Sequence, residues 1–179
     1  SAYAGRDYYI QGTSTSTGSG ISWQNLAGTI RWNHLFSDKL FSNTTLYSSK
    51  YNYNFLVNVA ENDFWNSHIG NLSLKTDFTW FANPDITLRF GGKITRHNFN
   101  PGNLEINSNP DWDNNRLVHP RIAREWTLYV SNNHVITPRL SMRYGLRLGI
   151  WQNIGEATEF VYDRRFWPVD TLTYGKGEV

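Results

Sequence analysis

Five histidines, one short acidic run and a row of arginines are the residues of this 179-residue chain whose types could carry chemistry. His34, His68, His97, His119 and His134 could hold a metal through imidazole nitrogen, yet none stands two residues from another. Two ligands on one face of a strand need that spacing. They read as structural or interfacial histidines, and no metal or cofactor is assigned. "DWDNN", Asp111 to Asn115, opens like a calcium loop, but the Gly and the closing Glu of that pattern do not follow. It reads as solvated loop. Ser, His and Asp occur without a nucleophile elbow or paired carboxylates, so the chain does not read as an enzyme. A phospholipase or protease is the sole enzymatic contender. What remains is charge. Arg139, Arg143 and Arg147 fall four apart, with Arg89 and Lys93 also four apart earlier in the chain. An even spacing places each set on one face of a strand. Such a basic wall either pairs with acidic groups facing it or guides an anionic substrate.

The elements that would position this wall are long strands. In "PRLSMRYGLRLGIWQ", Leu140, Met142, Tyr144, Leu146, Leu148 and Ile150 alternate with Arg139, Ser141, Arg143, Gly145, Arg147 and Gly149. Strict alternation predicts a strand with one apolar and one wet face, about twice the usual length of roughly 5–6 residues. The same pattern predicts strands near 24–36, 39–55, 67–82, 86–99 and 122–136. The apolar sets are Leu26, Ile30, Trp32 and Phe36, then Leu72, Leu74, Phe78 and Trp80, then Ile86, Leu88, Phe90 and Ile94, then Ile122, Trp126, Leu128 and Val130. In the strand 39–55, Phe41, Thr45, Tyr47, Tyr51, Tyr53 and Phe55 share one face. "FSDKL", "FANPDI" and "ITPRL" are tight turns. Long loops near 57–66, 100–121 and 154–179 alternate with them. "RDYYIQG" could add a short strand, and "GTSTSTGSG" is loop. The predicted class is all-β, with about six long strands in three hairpins and no sustained helical period. The outer strands, near 24–36 and 139–153, are expected to lack partners.

Composition restricts the solvent. Lys plus Arg number 17 against 15 Asp plus Glu, a near balance that argues against a nucleic-acid partner. There is no cysteine, hence no disulfide framework. No run of about 18 apolar residues offers a membrane helix. The negative mean hydropathy resembles a soluble protein, but a membrane barrel averages the same way because its strands alternate. Eight Trp, ten Tyr and ten Phe include Phe36, Trp80, Phe81, Trp126 and Trp151 near strand ends, where interfacial rings sit. A bilayer core needs about 9–11 tilted residues per strand, so the excess would project beyond it. A soluble β-sandwich also alternates, with shorter strands. The favoured reading is a segment of a transmembrane antiparallel β-barrel with short periplasmic turns and long extracellular loops. Loop aromatics Trp112, Phe160, Phe166 and Trp167 are candidate ligand contacts, by stacking on sugars or chelates. With no initiator Met and no signal-peptide pattern, the chain reads as an internal or processed segment.

"NLAGTIRWNHLFSDKLFSNTTLYSSKYNYNF", "NLSLKTDFTWFANPDITLRFGGKITRHNFNPG" and "PRLSMRYGLRLGIWQNIG" resemble the barrel of TonB-dependent outer-membrane receptors, in the variety with a carboxypeptidase-regulatory-like N-terminal domain. The resemblance extends over about residues 20–155 and returns at "TYGKGEV". It implies a barrel of about 22 strands closed by an N-terminal plug. Its implied work is import of a scarce nutrient (chelate, glycan or peptide) in the cell outer membrane of a Gram-negative bacterium, driven by the inner-membrane TonB complex. Residues 1–179 would then be part of one barrel domain, with the plug, the TonB-box segment and the remaining strands outside this sequence. Implied partners are outer-membrane lipid, those strands and plug, the TonB complex through the absent regions, and a surface lipoprotein or other envelope partner. The competing class is a structural or adhesive barrel within a larger envelope complex.

Overall fold

The computed structural model describes residues 1–12, 18–58, 63–107, 117–118, 120–175 and 177–178. The run Asp111–Asn115, with Trp112, and His119 lie outside them. Among the described residues ten strands follow in order: β1 Ala2–Gln11, β2 Ser19–Ser37, β3 Leu40–Asn58, β4 Asp63–Asn83, β5 Ile86–Glu105, β6 Leu117–Val118, β7 Arg121–Thr137, β8 Leu140–Ile154, β9 Ala157–Tyr162 and β10 Pro168–Tyr174. No helix occurs among the described residues. Strands β1, β2, β3, β4, β5, β7 and β8 form one antiparallel meander in chain order. β6 pairs with β5, and β9 with β10 makes a separate hairpin. The meander is not closed into a barrel: β1 and β8 are its edges.

The six predicted long strands are present, and three expectations need correction. First, β2 is not an edge, because β1 pairs with it from Ala2↔Gly28 to Gln11↔Ser19. Backbone groups along an open strand bond a neighbour whatever its side-chain pattern, so the weakly patterned "RDYYIQG" still joins the sheet. Second, the strands run further into the expected loops, to Asn58, from Asp63 and to Glu105. Toward those ends side-chain amides take over from apolar alternation: Asn52 donates to Gln24, and Asn54 to Ser22, both at 3.4 Å, while Asn66 donates to Asn54. Third, the stretch after Asn153 read as loop holds β9 and β10. Its two short strands are separated by "DRRFW", whose charges and rings mask the alternation.

The three tight turns repeat one device. Each has two residues, Asp38–Lys39, Pro84–Asp85 and Pro138–Arg139, and each is preceded by a short polar side chain. Ser37 Oγ accepts from the Lys39 N–H at 3.3 Å, Asn83 Oδ1 from Asp85 at 3.0 Å and Thr137 Oγ1 from Arg139 at 3.3 Å. Ser, Thr and Asn at this place close a turn on their own backbone, and Pro at the next position presets its φ. A register shift beside each turn, at Leu35/Ser37, Phe81/Asn83 and Val135/Thr137, absorbs the mismatch with strand twist. Asn83→Ala removes one such bond. It is expected to lower the unfolding free energy by about 1 kcal/mol, read as a shift in urea midpoint with unchanged slope.

The sheet has one layer, and register fixes its two faces. Across one rung lie Leu146, Val130, Phe90 and Phe78; across another, Ile150, Trp126, Ile94, Leu74, Leu46 and Ile30. These define an apolar face, and Leu146 is 79 % exposed on it. The alternate rungs define a polar face: Arg147, Tyr129, Gly91, Asp77, Asn43 and Asn33, then Gly149, Thr127, Lys93, Lys75, Thr45 and Arg31. Among the described residues the only buried apolar one is Ala123. Layered domains bury one sheet face against another element. This sheet leaves both faces open.

In β3 the faces reverse. Tyr47, Tyr51, Tyr53 and Phe55 share the polar face with the cations, and Ser42, Thr44, Leu46 and Ser48 share the apolar one. The pairing of β3 with both neighbours sets this register, and Thr44 and Thr76 hydroxyls satisfy each other there at 3.2 Å.

Candidate functional site

The polar face of β2, β4, β5, β7 and β8 carries Arg31, Lys75, Arg89, Lys93, Arg143 and Arg147, with the carboxylates Asp77 and Glu125 among them. Glu125, on β7, is the hub. Its Oε2 lies 3.0 Å from Lys93 Nζ and 3.7 Å from His97 Nε2, and its Oε1 lies 3.9 Å from Arg147 Nη2. Thr127 donates to the same carboxylate at 3.2 Å. Of these three contacts only that of Lys93 has hydrogen-bonding length. The Arg147 side chain is 67 % exposed, so its share is screened and small. Beside the hub, Ser73 and Thr95 hydroxyls bond at 2.8 Å, and His97 Nδ1 meets Asn71 Oδ1 at 2.7 Å. The His97 ring stacks on Trp151 with centroids 5.0 Å apart.

Asp77 makes the second centre. Lys75 Nζ is 2.8 Å away, and the Tyr129 hydroxyl crosses Gly91 to donate to Asp77. The rung Tyr129–Gly91–Asp77 makes the reason visible: only a residue without a side chain leaves room for the phenol. A Cβ on Gly91 would stand 3.0 Å from the hydroxyl and 2.2 Å from the Thr76 carbonyl oxygen. A Cβ on Gly145, also on this face, would stand 2.5 Å from the Val130 carbonyl oxygen.

Four of the five expected wall residues, Arg89, Lys93, Arg143 and Arg147, share this face. Arg139 does not sit in the row. It occupies the second position of the β7–β8 turn, where the pairing ladder has ended. Arg89 and Arg143 have no ion-pair partner among the described residues. The sequence reading missed Asp77, Glu125, Tyr129, Lys75 and Arg31. Their strand parity was readable, but the pairing that sets them beside the arginines was not.

The loop aromatics belong to the small hairpin. Phe160 lies on β9, and Phe166 and Trp167 lie in its connection to β10, with Phe166 86 % exposed. Asp163 organises that connection: its backbone N–H donates to Trp167 O, and its Oδ1 accepts from the Arg165 and Trp167 N–H groups at 2.7 and 3.0 Å. The loop Arg164–Phe166 ends in a left-handed residue, as three-residue hairpin loops do, but the residue is Phe166 at φ 61. A bulky side chain there costs free energy. Phe166→Gly is therefore expected to stabilise the hairpin by about 1 kcal/mol, seen as slower amide exchange in β9 and β10. If the ring contacts a ligand, the same change weakens binding.

No group of three His, Asp or Glu positioned to hold a metal occurs among the described residues. No known protein family, curated protein or solved structure matches the chain.

Proposed function

We propose that this chain forms part of the wall of an outer-membrane β-barrel, in a receptor of the TonB-dependent kind that imports a scarce nutrient such as a chelate, glycan or peptide. The observation that carries the reading is the single-layer sheet with an open apolar face, in which Ala123 is the only buried apolar residue among those described. From Leu140 to Ile150, β8 presents apolar side chains over about 33 Å, which at a barrel tilt of roughly 40° is about 25 Å of height. That is the thickness of the lipid-facing band of outer-membrane barrels. Strands of 15 to 21 residues exceed the span of the bilayer, and their surplus lies on the side of the long connections. Two open edges in lipid leave unpaired backbone groups costing several kcal/mol each, so further strands would close the wall. The resemblance noted in the sequence supplies the receptor class. In that arrangement the polar face lines the lumen, and its basic wall faces a plug or an anionic substrate. The long connections and the β9–β10 hairpin face the outside.

Sidedness is tested with single-tryptophan variants refolded into vesicles. Lipids brominated in their acyl chains are expected to quench Trp32, Trp80 and Trp126 on the apolar face, and aqueous acrylamide to quench Trp151. Equal acrylamide access to all four, with a soluble monomer in plain buffer, would overturn the membrane reading. Receptor function is tested by ligand uptake in producing cells. Uptake should stop when the inner-membrane proton gradient is dissipated; uptake indifferent to the gradient would leave the structural or adhesive barrel class.

A further inference from the structure

Two arginines stand opposite each other on the wrong face. Arg96 of β5 and Arg124 of β7 are directly paired in register, and both point from the apolar face. Like charges in this position repel and destabilise a sheet unless a counter-charge bridges them. Their rung reads Gln152, Arg124, Arg96, Leu72, Ser48 and Gly28. The rung beyond it adds Lys50 and the rung before it is apolar; none of the three contains a carboxylate. Both guanidinium groups are exposed and have no ion-pair partner among the described residues. The three rungs themselves provide no counter-charge for the pair.

The surroundings identify the kind of anion. Immediately below the pair the apolar belt begins, with Trp126, Ile150 and Ile94. The Trp126 indole N–H donates to Gln152 at 2.9 Å, so the ring lies in the belt with its polar end at the arginine rung. That is the posture of an interfacial tryptophan. From Gln152 a shallow apolar groove descends along Trp126, Leu128, Leu148 and Ile150 to Gly92. Charge above and an apolar channel below match one class of molecule. We propose that Arg96 and Arg124 clamp the phosphate of a membrane lipid headgroup while one of its acyl chains lies in the groove ending at Gly92. Guanidinium and phosphate suit each other because two N–H donors meet two oxygens in parallel. The pair sits on the side of the long connections, so the lipid belongs to the outer leaflet.

This inference rests on the membrane reading above, and the test separates the two. The chain is refolded in neutral maltoside micelles containing either diphosphorylated lipid A or digalactosyldiacylglycerol, which lacks phosphate, and retained lipid is counted by native mass spectrometry. Lipid A should be retained preferentially. Arg96→Gln or Arg124→Gln should each weaken retention about fivefold, and the double variant roughly 30-fold, with an unchanged far-ultraviolet spectrum. Arg89→Gln, on the opposite face, should change nothing. Equal retention of both lipids, equal loss with Arg89→Gln, or displacement by equimolar inorganic phosphate would overturn the lipid site while leaving the micelle-inserted sheet intact. A chain that folds as a monomer without micelles would overturn both.

Discussion

Leu146→Arg is expected to cost about 2–4 kcal/mol of insertion free energy in vesicles, whereas Arg147→Leu, one residue away, should leave insertion nearly unchanged. The two positions differ only in face. Leu146 lies in the rung with Val130, Phe90 and Phe78, midway along the apolar run of β8, and nothing covers it. A guanidinium there must either enter hydrocarbon or thin the bilayer around it. Arg147 is exposed on the opposite face and touches only the edge of the Glu125 cluster, at 3.9 Å. Lys93 keeps Glu125 paired when Arg147 is removed, so no carboxylate is orphaned. The measurement is the fraction of protein that becomes protease-resistant on refolding into vesicles across a urea series. A soluble sheet would reverse the order: Arg147→Leu would then promote association by adding an apolar residue to a wet face, and Leu146→Arg would be neutral or solubilising. Equal effects of the two variants would mean that lipid does not distinguish the faces.

That contrast was legible in the sequence because alternation is a local signal. In β8 each residue announces its face by its neighbours, from Leu140 to Ile150, and the same holds in β2, β4, β5 and β7. The turns were equally plain, since Ser37, Asn83 and Thr137 close them with their own side chains. Where the local signal is weak, pairing decided instead. β1 has a mixed pattern and is held by the exposed backbone of β2. β3 alternates tyrosine with serine and asparagine, so neither face is clean, and its register comes from β2 and β4 together. The candidate site shows the same limit. The cations Arg89, Lys93, Arg143 and Arg147 were visible from their spacing, whereas Glu125 and Asp77 became their neighbours only through cross-strand register. The β9–β10 hairpin was hidden for another reason: its short strands hold too few alternations to stand out beside a loop of Asp163, two arginines and two rings.

A pair of glycine substitutions extends the reasoning from faces to shape. Gly91→Ala is expected to destabilise the sheet by about 3 kcal/mol, and Gly28→Ala to stabilise it by about 0.5 kcal/mol. Neither glycine has a positive φ, so backbone conformation does not separate them. Space does. On the polar face a Cβ at Gly91 would lie 2.2 Å from the Thr76 carbonyl oxygen and 3.1 Å from Asp77 Cα, both backbone atoms that cannot swing aside. It would also lift the Tyr129 phenol off its path to Asp77, leaving a part-buried hydroxyl and carboxylate without their bond. Overpacking of this kind costs about 1–3 kcal/mol before the lost hydrogen bond is added. On the apolar face a Cβ at Gly28 would meet nothing within 4 Å. There alanine only narrows the unfolded ensemble, which is worth about 0.5 kcal/mol in a strand. Urea unfolding followed by tryptophan emission in micelles should resolve both signs, and adding Tyr129→Phe to Gly91→Ala should cost less than it does alone, because the bond is already broken. If Gly91→Ala proved neutral, the phenol would not need the glycine, and the Tyr129–Asp77 contact would not be what ties β7 to β4 across β5.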